Sequence, residues 1–515
     1  MNSTVATSMI GMRIGVRVTR VAFAALLFLI CTSCGETYRP VAFPIVPSPP
    51  SPSTSHFVLT VSGNGMVPSD PVQPPFPGTI MRIDTSGDSV LAATENGLGP
   101  VHATVLPNGT AWYVANSLED TISASTLSAS STHSTIALPD LPGDPTATPP
   151  VLPTFATPVF VHTAENGNVY VANYNYGTVS VINTTANIVV ANVGVDPTAA
   201  IPNVNANPVS LAELPNGSKV YSANRGNGSV TSINTIDHSV GVVFPAAAVG
   251  SSPVWVAARS DSQRVYALDK SSGNIAVIDP TTTPDTIVGT VPTEGGADFM
   301  LYDGKLNRLY VLSSSGNKFW AFDASPSMPM SLLAAGPISM VPPALGPTPP
   351  CSTGVAPIPV SLTALPDGSR VYVASYQKDT GSGQICSQVS VFSSTNYTAG
   401  NVISLGSTGI VTNTANYPMG CDAARPAATG APLGFRLSAA SSGDNKPTTR
   451  VYVANCDQGN TAVITTIAFD SAGVTVPADS LLTDINSPLS AFPAPAGNPQ
   501  PPPPPQNPLF IVAGP

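Results

Sequence analysis

The chain has 515 residues, enough for a large core, yet only 9% of them are charged, while Pro (56) and Gly (42) are abundant. That balance suits many turns between short strands and excludes long surface helices, which need Glu, Lys and Arg. The formal net charge is −10 and no basic run follows the first twenty residues, which argues against a nucleic-acid partner, because phosphate neutralisation needs clustered Lys and Arg.

Residues 1–34 read as a targeting segment, to be set apart from the fold. Arg13, Arg17 and Arg20 form a positive region, and "VAFAALLFLI" (21–30) an apolar core too short for an ordinary membrane span of about 20 residues. "CTSCG" follows. The small residues before Cys34 resemble the lipobox of bacterial lipoproteins, with one departure: that family usually has Leu where Cys31 stands. The resemblance implies a lipidated Cys34, and Gly35, in place of the Asp that marks inner-membrane retention, implies the outer membrane. Plain cleaved secretion is the alternative. Residues 35–56 are Pro-rich and read as a semi-extended tether.

From residue 57 onward the sequence repeats itself. "VYVAN" (169–173) recurs as "WYVAN" (112–116), "VYSAN" (220–224), "VYALD" (265–269), "LYVLS" (309–313), "VYVAS" (371–375) and "VYVAN" (451–455). A β run ending in a turn precedes several copies, as in "VHATVLPNG" from Val101 and "VSLTALPDG" from Val360. Asn-Gly and Asp-Gly between two β runs are strong hairpin signals, since both central residues can take positive φ. A strand such as "GTVSVIN" and a looser one such as "NIVVANV" follow. Each unit therefore reads as a four-stranded antiparallel meander, its strands A to D. "VYVA" and "VSVI" are apolar on both faces, so both faces need covering, and no helices are available to cover them. Radial stacking of meanders meets that need, and an all-β propeller over 57–515 is the expectation.

Eight C strands can be counted, beginning near Gly78, Thr121, Thr178, Ser229, Asn274, Lys318, Gln388 and Thr461, which favours eight blades, with seven the alternative. Seven units are contiguous. The eighth is expected from both chain ends, with a B-like strand, C and D from 57–93, an A strand from "SPLSAFPAPAG", and a second B-like strand from "PLFIVAGP". Such a closure removes open sheet edges. "VYVAN…GTVSVIN" resembles the YVTN-type, YncE-like propeller repeat, and the resemblance covers nearly all of 57–515. It implies a propeller in the bacterial envelope, sometimes with a lactonase-like relative. It implies no particular reaction, because propellers host many activities.

The longest connections, 141–158, 196–208, 336–359 and 411–433, are mostly D–A loops and gather on one face, where a binding site is expected. Four cysteines follow the leader. Cys351 and Cys386 fall in the D–A and B–C loops of one unit, and Cys421 and Cys456 in the same places of the next. Both loop types meet on one face, so Cys351–Cys386 and Cys421–Cys456 disulfides are expected in an exported chain. Among these four the close C-x-x-C pairs of zinc sites are absent.

No H-E-x-x-H, C-x-x-C-H, G-x-S-x-G or P-loop motif occurs among the five histidines and the glycine-rich turns, so no metal or cofactor is expected. Aligning the units through their hairpins puts His102, Phe160, Ser210, Trp255, Phe299, Ser361 and Ser490 at one ring position near the start of strand A. His102 there is a weak candidate base without a convergent carboxylate. Phe160, Trp255 and Phe299 are candidates for stacking on a sugar or peptide, and Arg225 is a candidate rim charge. The Asn closing strand B (Asn116, Asn173, Asn224, Asn455) recurs too often for a catalytic residue and reads as a cap on backbone groups. The functional expectation is a monomeric, exported, lipid-anchored binding or scaffold module that meets an envelope glycan, peptide or protein. A lactonase-like or lyase-type enzyme is the alternative.

Overall fold

A computed structural model describes residues 56–63, 77–127, 133–140, 154–325, 330–340, 356–381, 383–409, 421, 435–442, 449–471, 473–489 and 506–514. Cys34, the leader and all but the last residue of the tether lie outside these, as do Cys351, Ser490 and most of three of the long loops. The chain forms a β-propeller of eight four-stranded antiparallel blades. Strands A to D of blade 1 are Pro100–Val105, Ala111–Asn116, Thr121–Thr126 and Ser134–Ala137. Blade 2 comprises Pro158–Thr163, Asn168–Asn173, Thr178–Asn183 and Ile188–Gly194, and blade 3 Pro208–Glu213, Lys219–Asn224, Ser229–Asn234 and Val240–Phe244. Blade 4 comprises Pro253–Ala258, Val265–Asp269, Asn274–Asp279 and Thr286–Pro292. In blade 5, Ala297–Asp303, Arg308–Ser313 and Lys318–Asp323 are followed by a split outer strand, Ser331–Leu332 and Ile338–Ser339. Blade 6 comprises Ile358–Ala364, Arg370–Asp379, Gln384–Ser393 and Ala399–Gly409, and blade 7 Leu437–Ser441, Arg450–Asn455, Asn460–Thr465 and Ser480–Asn486.

Blade 8 draws on both chain ends, but not in the expected way. Phe57–Gly63, Pro77–Asp84 and Ser89–Leu98 are its strands B, C and D, and Asn507–Ala513 is its strand A. The C-terminal "PLFIVAGP" is therefore the innermost strand itself, not a second B strand behind "SPLSAFPAPAG". Each A strand touches the A strands of the two neighbouring blades, and the cycle closes from blade 8 to blade 1. Strands B and C are almost wholly buried, which explains why they read as apolar on both faces. The one helix among the described residues is a single turn, Ala246–Val249.

Three local devices explain the repeat. First, in the A–B turns of blades 1, 2, 3 and 6 only the Gly has positive φ: Gly109 (67°), Gly167 (78°), Gly217 (71°) and Gly368 (71°), while Ser262 (58°) and Asn307 (51°) take that place in blades 4 and 5. The preceding Asn or Asp instead bonds the N–H two residues on, as Asn108 Oδ1 does with Thr110 N at 3.0 Å. The turns thus carry one left-handed residue, not the two expected from a type I′ pair. Second, the Asn ending strand B in blades 1 to 3 clamps side chains on strand C and does not cap backbone there, whereas Asn455 of blade 7 does bond a backbone carbonyl, that of Leu405. Asn173 Nδ2 donates to Thr178 Oγ1 (2.9 Å) and Ser180 Oγ (2.6 Å). Asn116 makes the same pair of bonds to Thr121 and Ser123, and Asn224 to Ser229 and Thr231.

Third, the Tyr of "VYVAN" reaches the C–D corner of the next blade. Tyr113 OH donates to Asn187 Oδ1 (2.7 Å), Tyr221 to Asp285 Oδ2 (2.6 Å), Tyr372 to Asp479 and Tyr452 to Asp88 Oδ1 (2.6 Å). Asn187, Asp479 and Asp88 sit at positive φ, a conformation Asn and Asp tolerate because their short polar side chains bond locally. A cation two residues before the Tyr completes three of these latches: Lys219 with Asp285, Arg370 with Asp479 and Arg450 with Asp88.

Candidate functional site

A bulge built into the strands aims the ring position at the channel. Strand A starts with Pro in blades 1 to 4, and the pairing with strand B skips one residue, between Pro100 and His102, Pro158 and Phe160, Pro208 and Ser210, and Pro253 and Trp255. The same skip precedes Phe299 and Ser361. A bulge bends its strand and re-aims the next side chain, so one side chain per blade turns inward near the loop-bearing end. Blade 8 has the same skip, between Pro508 and Phe510, whereas blade 7 pairs Ser438 with Ala454 without one.

These side chains meet. The His102 ring lies 4.0 Å from Phe160 and 4.0 Å from Phe510, centroid to centroid. Phe160 meets Trp255 edge-on at 6.0 Å, and Trp255 lies 4.8 Å from Phe299. Phe435, just ahead of strand A of blade 7, closes the circuit to Trp255 (6.2 Å), Phe299 (6.0 Å) and Phe510 (5.9 Å). Rings from opposite sides of the propeller are thus in contact across its axis, with offset and edge-on geometries that aromatic pairs favour. His102 and Phe299 are buried, whereas Phe160, Trp255, Phe435 and Phe510 are half-buried.

The polar members of the ring link blades. His102 Nδ1 accepts the Val161 N–H (3.4 Å), Ser210 Oγ that of Val256 (3.3 Å), Ser361 Oγ that of Ala439 (3.1 Å) and Ser438 Oγ that of Ile511 (3.2 Å). One layer further along the channel, His162 Nε2 accepts the Glu213 N–H (3.3 Å) and Thr363 Oγ1 that of Ser441 (3.2 Å). An acceptor imidazole must be neutral at that nitrogen. Burial pushes His102 down to about 3, helped by nearby His162, and burial alone takes His162 to about 4. Glu213 moves the other way. Burial raises it to about 7, against the Glu165 N–H that its Oε2 accepts at 2.8 Å, and its buried Oε1 has no partner among the described residues.

Of the residues singled out from sequence, His102, Phe160, Trp255 and Phe299 converge in this cluster. Arg225 does not: it is exposed on the B–C turn of blade 3, close enough to Tyr174 to act on it electrostatically. Cys421 and Cys456 form the expected disulfide, and Asn507 at the start of the C-terminal strand donates to Cys421 Sγ (3.2 Å) and to the Cys456 carbonyl (3.3 Å). Cys386 is also disulfide-bonded. The sequence reading missed Phe435 and Phe510 as ring members. The signal for Phe510 was present, since "PLFIV" repeats the Pro-x-Phe of "PVFV". Beside the cluster, Arg436 makes two bonds to Asp457 (2.8 and 3.1 Å) and lies 4.4 Å above the Tyr376 ring. No group of His, Cys, Asp and Glu that could hold a metal occurs among the described residues.

No family model and no curated protein sequence matches the chain. In fold it is similar to the periplasmic gluconolactonase of Pseudomonas aeruginosa, at 16% identity over 69% of this chain and 97% of that one, with a TM-score of 0.46. It is also similar to hydrazine synthase from Kuenenia stuttgartiensis, at 13% identity over 78% and 99% of the two chains, with a TM-score of 0.44. A third is virginiamycin B lyase from Staphylococcus aureus, at 15% identity over 58% and 92%, with a TM-score of 0.38. Such likenesses bear on fold alone, and the propeller assignment stands on the closed cycle of eight sheets.

Proposed function

We propose that the chain is an exported, lipid-anchored propeller of the YVTN-type kind, acting as a binding or scaffold module whose ligand docks at the loop-bearing mouth of the channel. The observation that carries this reading is the aromatic cluster. Four of its rings keep part of their surface uncovered at the centre of a fold whose other large apolar side chains lie mostly inside the blades, and an apolar concave centre is the usual place for a ligand. The histidines there are engaged in holding blades together. An envelope glycan, peptide or protein fits the reading. The test is affinity capture from the native envelope with wild-type protein and with a Phe160→Ala/Trp255→Ala variant. A ligand retained by both places recognition elsewhere. Anchoring is tested by labelling with a fatty-acid analogue, which a Cys34→Ser variant should lose.

A lactonase-like or lyase-type enzyme is the second reading, and Glu213 favours it. A buried carboxyl poised near neutral pH, with one oxygen unpartnered, suits general acid–base work. It lies at the opposite end of strand A from the aromatic mouth. Turnover of a lactone that falls in Glu213→Gln but not in Phe160→Ala would move the function to that end.

A further inference from the structure

Strand A enters blade 8 differently from the way it enters blades 1 to 4. In those four blades the residue ahead of the strand's Pro is held by its own blade. The carbonyls of Gly99, Thr157, Asn207 and Ser252 accept the N–H groups of Ser117, Tyr174, Arg225 and Lys270, each just past strand B. In blade 8 the residue ahead of the Pro is Asn507, and its side chain reaches back to blade 7. Its Nδ2 donates to Cys421 Sγ (3.2 Å) and to the Cys456 carbonyl (3.3 Å), and lies 3.6 Å from Cys456 Sγ. All three acceptors belong to the two residues of the Cys421–Cys456 disulfide.

Backbone pairing is weak at this entry. Pro508 has no N–H to give to a ladder, and the skip between Pro508 and Phe510 interrupts the pairing with strand B at the same place. One residue further on, the Leu509 carbonyl accepts the Phe435 N–H at 2.8 Å. Phe510 follows, with its ring against His102 and Phe435. The disulfide thus stands at the root of the strand that carries Phe510 into the aromatic cluster.

The two sulfurs differ in access. Cys456 is 1% exposed, whereas Cys421 is half-buried. A dithiol reductant therefore attacks Cys421 Sγ, and Cys456 leaves as a thiolate. The second thiol of the reductant then resolves the mixed disulfide. Two electrons pass to the protein, the two protons of the dithiol end on Cys421 and Cys456, and the reductant leaves as its own disulfide. Asn507 then loses an acceptor fixed by the cross-link, and a tie across 35 residues of sequence is gone.

We infer that the Cys421–Cys456 disulfide is a redox-sensitive seat for the closing strand. Oxidised, it fixes the entry end of strand A of blade 8. Reduced by a dithiol, it lets residues 507–510 come away from blade 7 while blades 2 to 4 keep their structure. The inference concerns closure of the ring and stands apart from the binding reading.

The full chain is treated with dithiothreitol without denaturant, and amide exchange is followed by mass spectrometry alongside alkylation of free thiols. Exchange at Leu509, Phe510 and Ile511 should rise about ten-fold or more as Cys421 and Cys456 become alkylated, with no change in blades 2 to 4. Cys386 belongs to another disulfide, so a Cys386→Ala variant should keep this response. Asn507→Ala, with the bond intact, should reproduce most of the rise, and reduction should then add no more than about two-fold, because the two changes remove one contact. Cys421→Ser/Cys456→Ser should show the raised exchange without reductant, and reduction of the folded wild type decides the matter if that variant does not fold. A bond that resists dithiothreitol in the native chain overturns the redox sensitivity. Reduction that leaves residues 509–511 protected, or that raises exchange equally in every blade, overturns the seat. So does an Asn507→Ala variant that behaves as wild type before and after reduction, or loss of the response in Cys386→Ala.

Discussion

Blades 1 to 3 and blades 6 to 8 meet the same mechanical demand by different means. In the first group every strand B ends in an Asn clamped to two hydroxyls of its own strand C, a neutral device built within the blade, to which Asn96 of blade 8 adds one bond to Asn116 (2.7 Å). In the second group Ser375 and Ser62 stand at that position. Asn455 turns instead to the preceding blade, accepting from Ser387 (3.2 Å) and donating to the Leu405 carbonyl (3.3 Å). Buried ion pairs and the Cys421–Cys456 disulfide cross-link this half. Blades 1 to 3 are each made from one stretch of chain, as are blades 6 and 7, and only blade 8 is made from both chain ends. Around blade 8 the ring joins residues more than 360 positions apart, and long-range contacts must offset a larger closure entropy.

The strongest way to test that contrast is to remove the closing strand. Deleting residues 509–515 takes away most of strand A of blade 8, its pairing with Phe57–Gly63 and the Phe510 ring. We expect the melting transition to drop by more than ten degrees or to lose cooperativity, with exchange of amides in blades 7, 8 and 1 rising first. An unchanged melting curve would mean that blade 8 is dispensable and that the contrast is empty.

Next in size is the Arg450–Asp88 pair, whose side chains are both 5% exposed and which Tyr452 also bonds. Arg450→Met leaves a buried carboxylate without its cation and should cost about 3–5 kcal/mol. Adding Asp88→Asn should recover much of the loss, because Asn keeps an acceptor for Tyr452 and tolerates the positive φ of 49° at that corner. Urea unfolding of the single and double variants measures both steps. If the double variant is no better than the single, the pair does not act as a charge couple.

The local clamp should be weaker. Asn173→Ala strands the clamp on Thr178 and Ser180 and is expected to cost about 1–3 kcal/mol, with faster exchange confined to blade 2. Asn455→Ala should instead loosen the boundary between blades 6 and 7. If both variants loosen only their own blade, the two halves do not differ in the way described.

Much of this was readable in the sequence, and the parts that were not have a common physical reason. The blades were legible because β-branched runs, Asn-Gly turns and the Asn at the end of strand B are local signals. The clamp itself follows a local spacing, with hydroxyls five and seven residues after the Asn. The Tyr latches were not legible, since their partners lie 64 to 364 residues away at corners of neighbouring blades. The candidate site was half legible. Hairpin alignment placed His102, Phe160, Trp255 and Phe299 at one level, but Phe510 belongs to a strand whose place depends on how the ring closes, and Phe435 sits outside any strand.

The effect expected to be smallest at neutral pH concerns the buried His102 of blade 1 and the half-buried His162 of blade 2, where Ser and Thr do the same work in blade 6. His102 and His162 ionise at about 3 and about 4 in the folded chain, below the ordinary 6.5. Below pH 6.5 the unfolded chain therefore binds more protons than the folded one, and the stability contributed by the neutral rings is present above that pH and lost as it falls toward 4 and 3. Each histidine adds a slope of up to about 1.4 kcal/mol per pH unit. Glu213 opposes this, because its raised value, about 7 against 4.5, makes stability fall as pH rises through that interval. The two slopes of the histidines outweigh the one of Glu213 between pH 4.5 and 6.5, so wild-type stability should decline on acidification. A His102→Ser/His162→Thr variant copies the residues that accept the same N–H groups at Ser361 and Thr363. In that variant the acid decline should vanish and Glu213 should leave a gentle rise toward pH 4.5. Parallel pH profiles for the two proteins, measured by urea unfolding at constant ionic strength, would show that acid sensitivity arises in the ion-paired half instead.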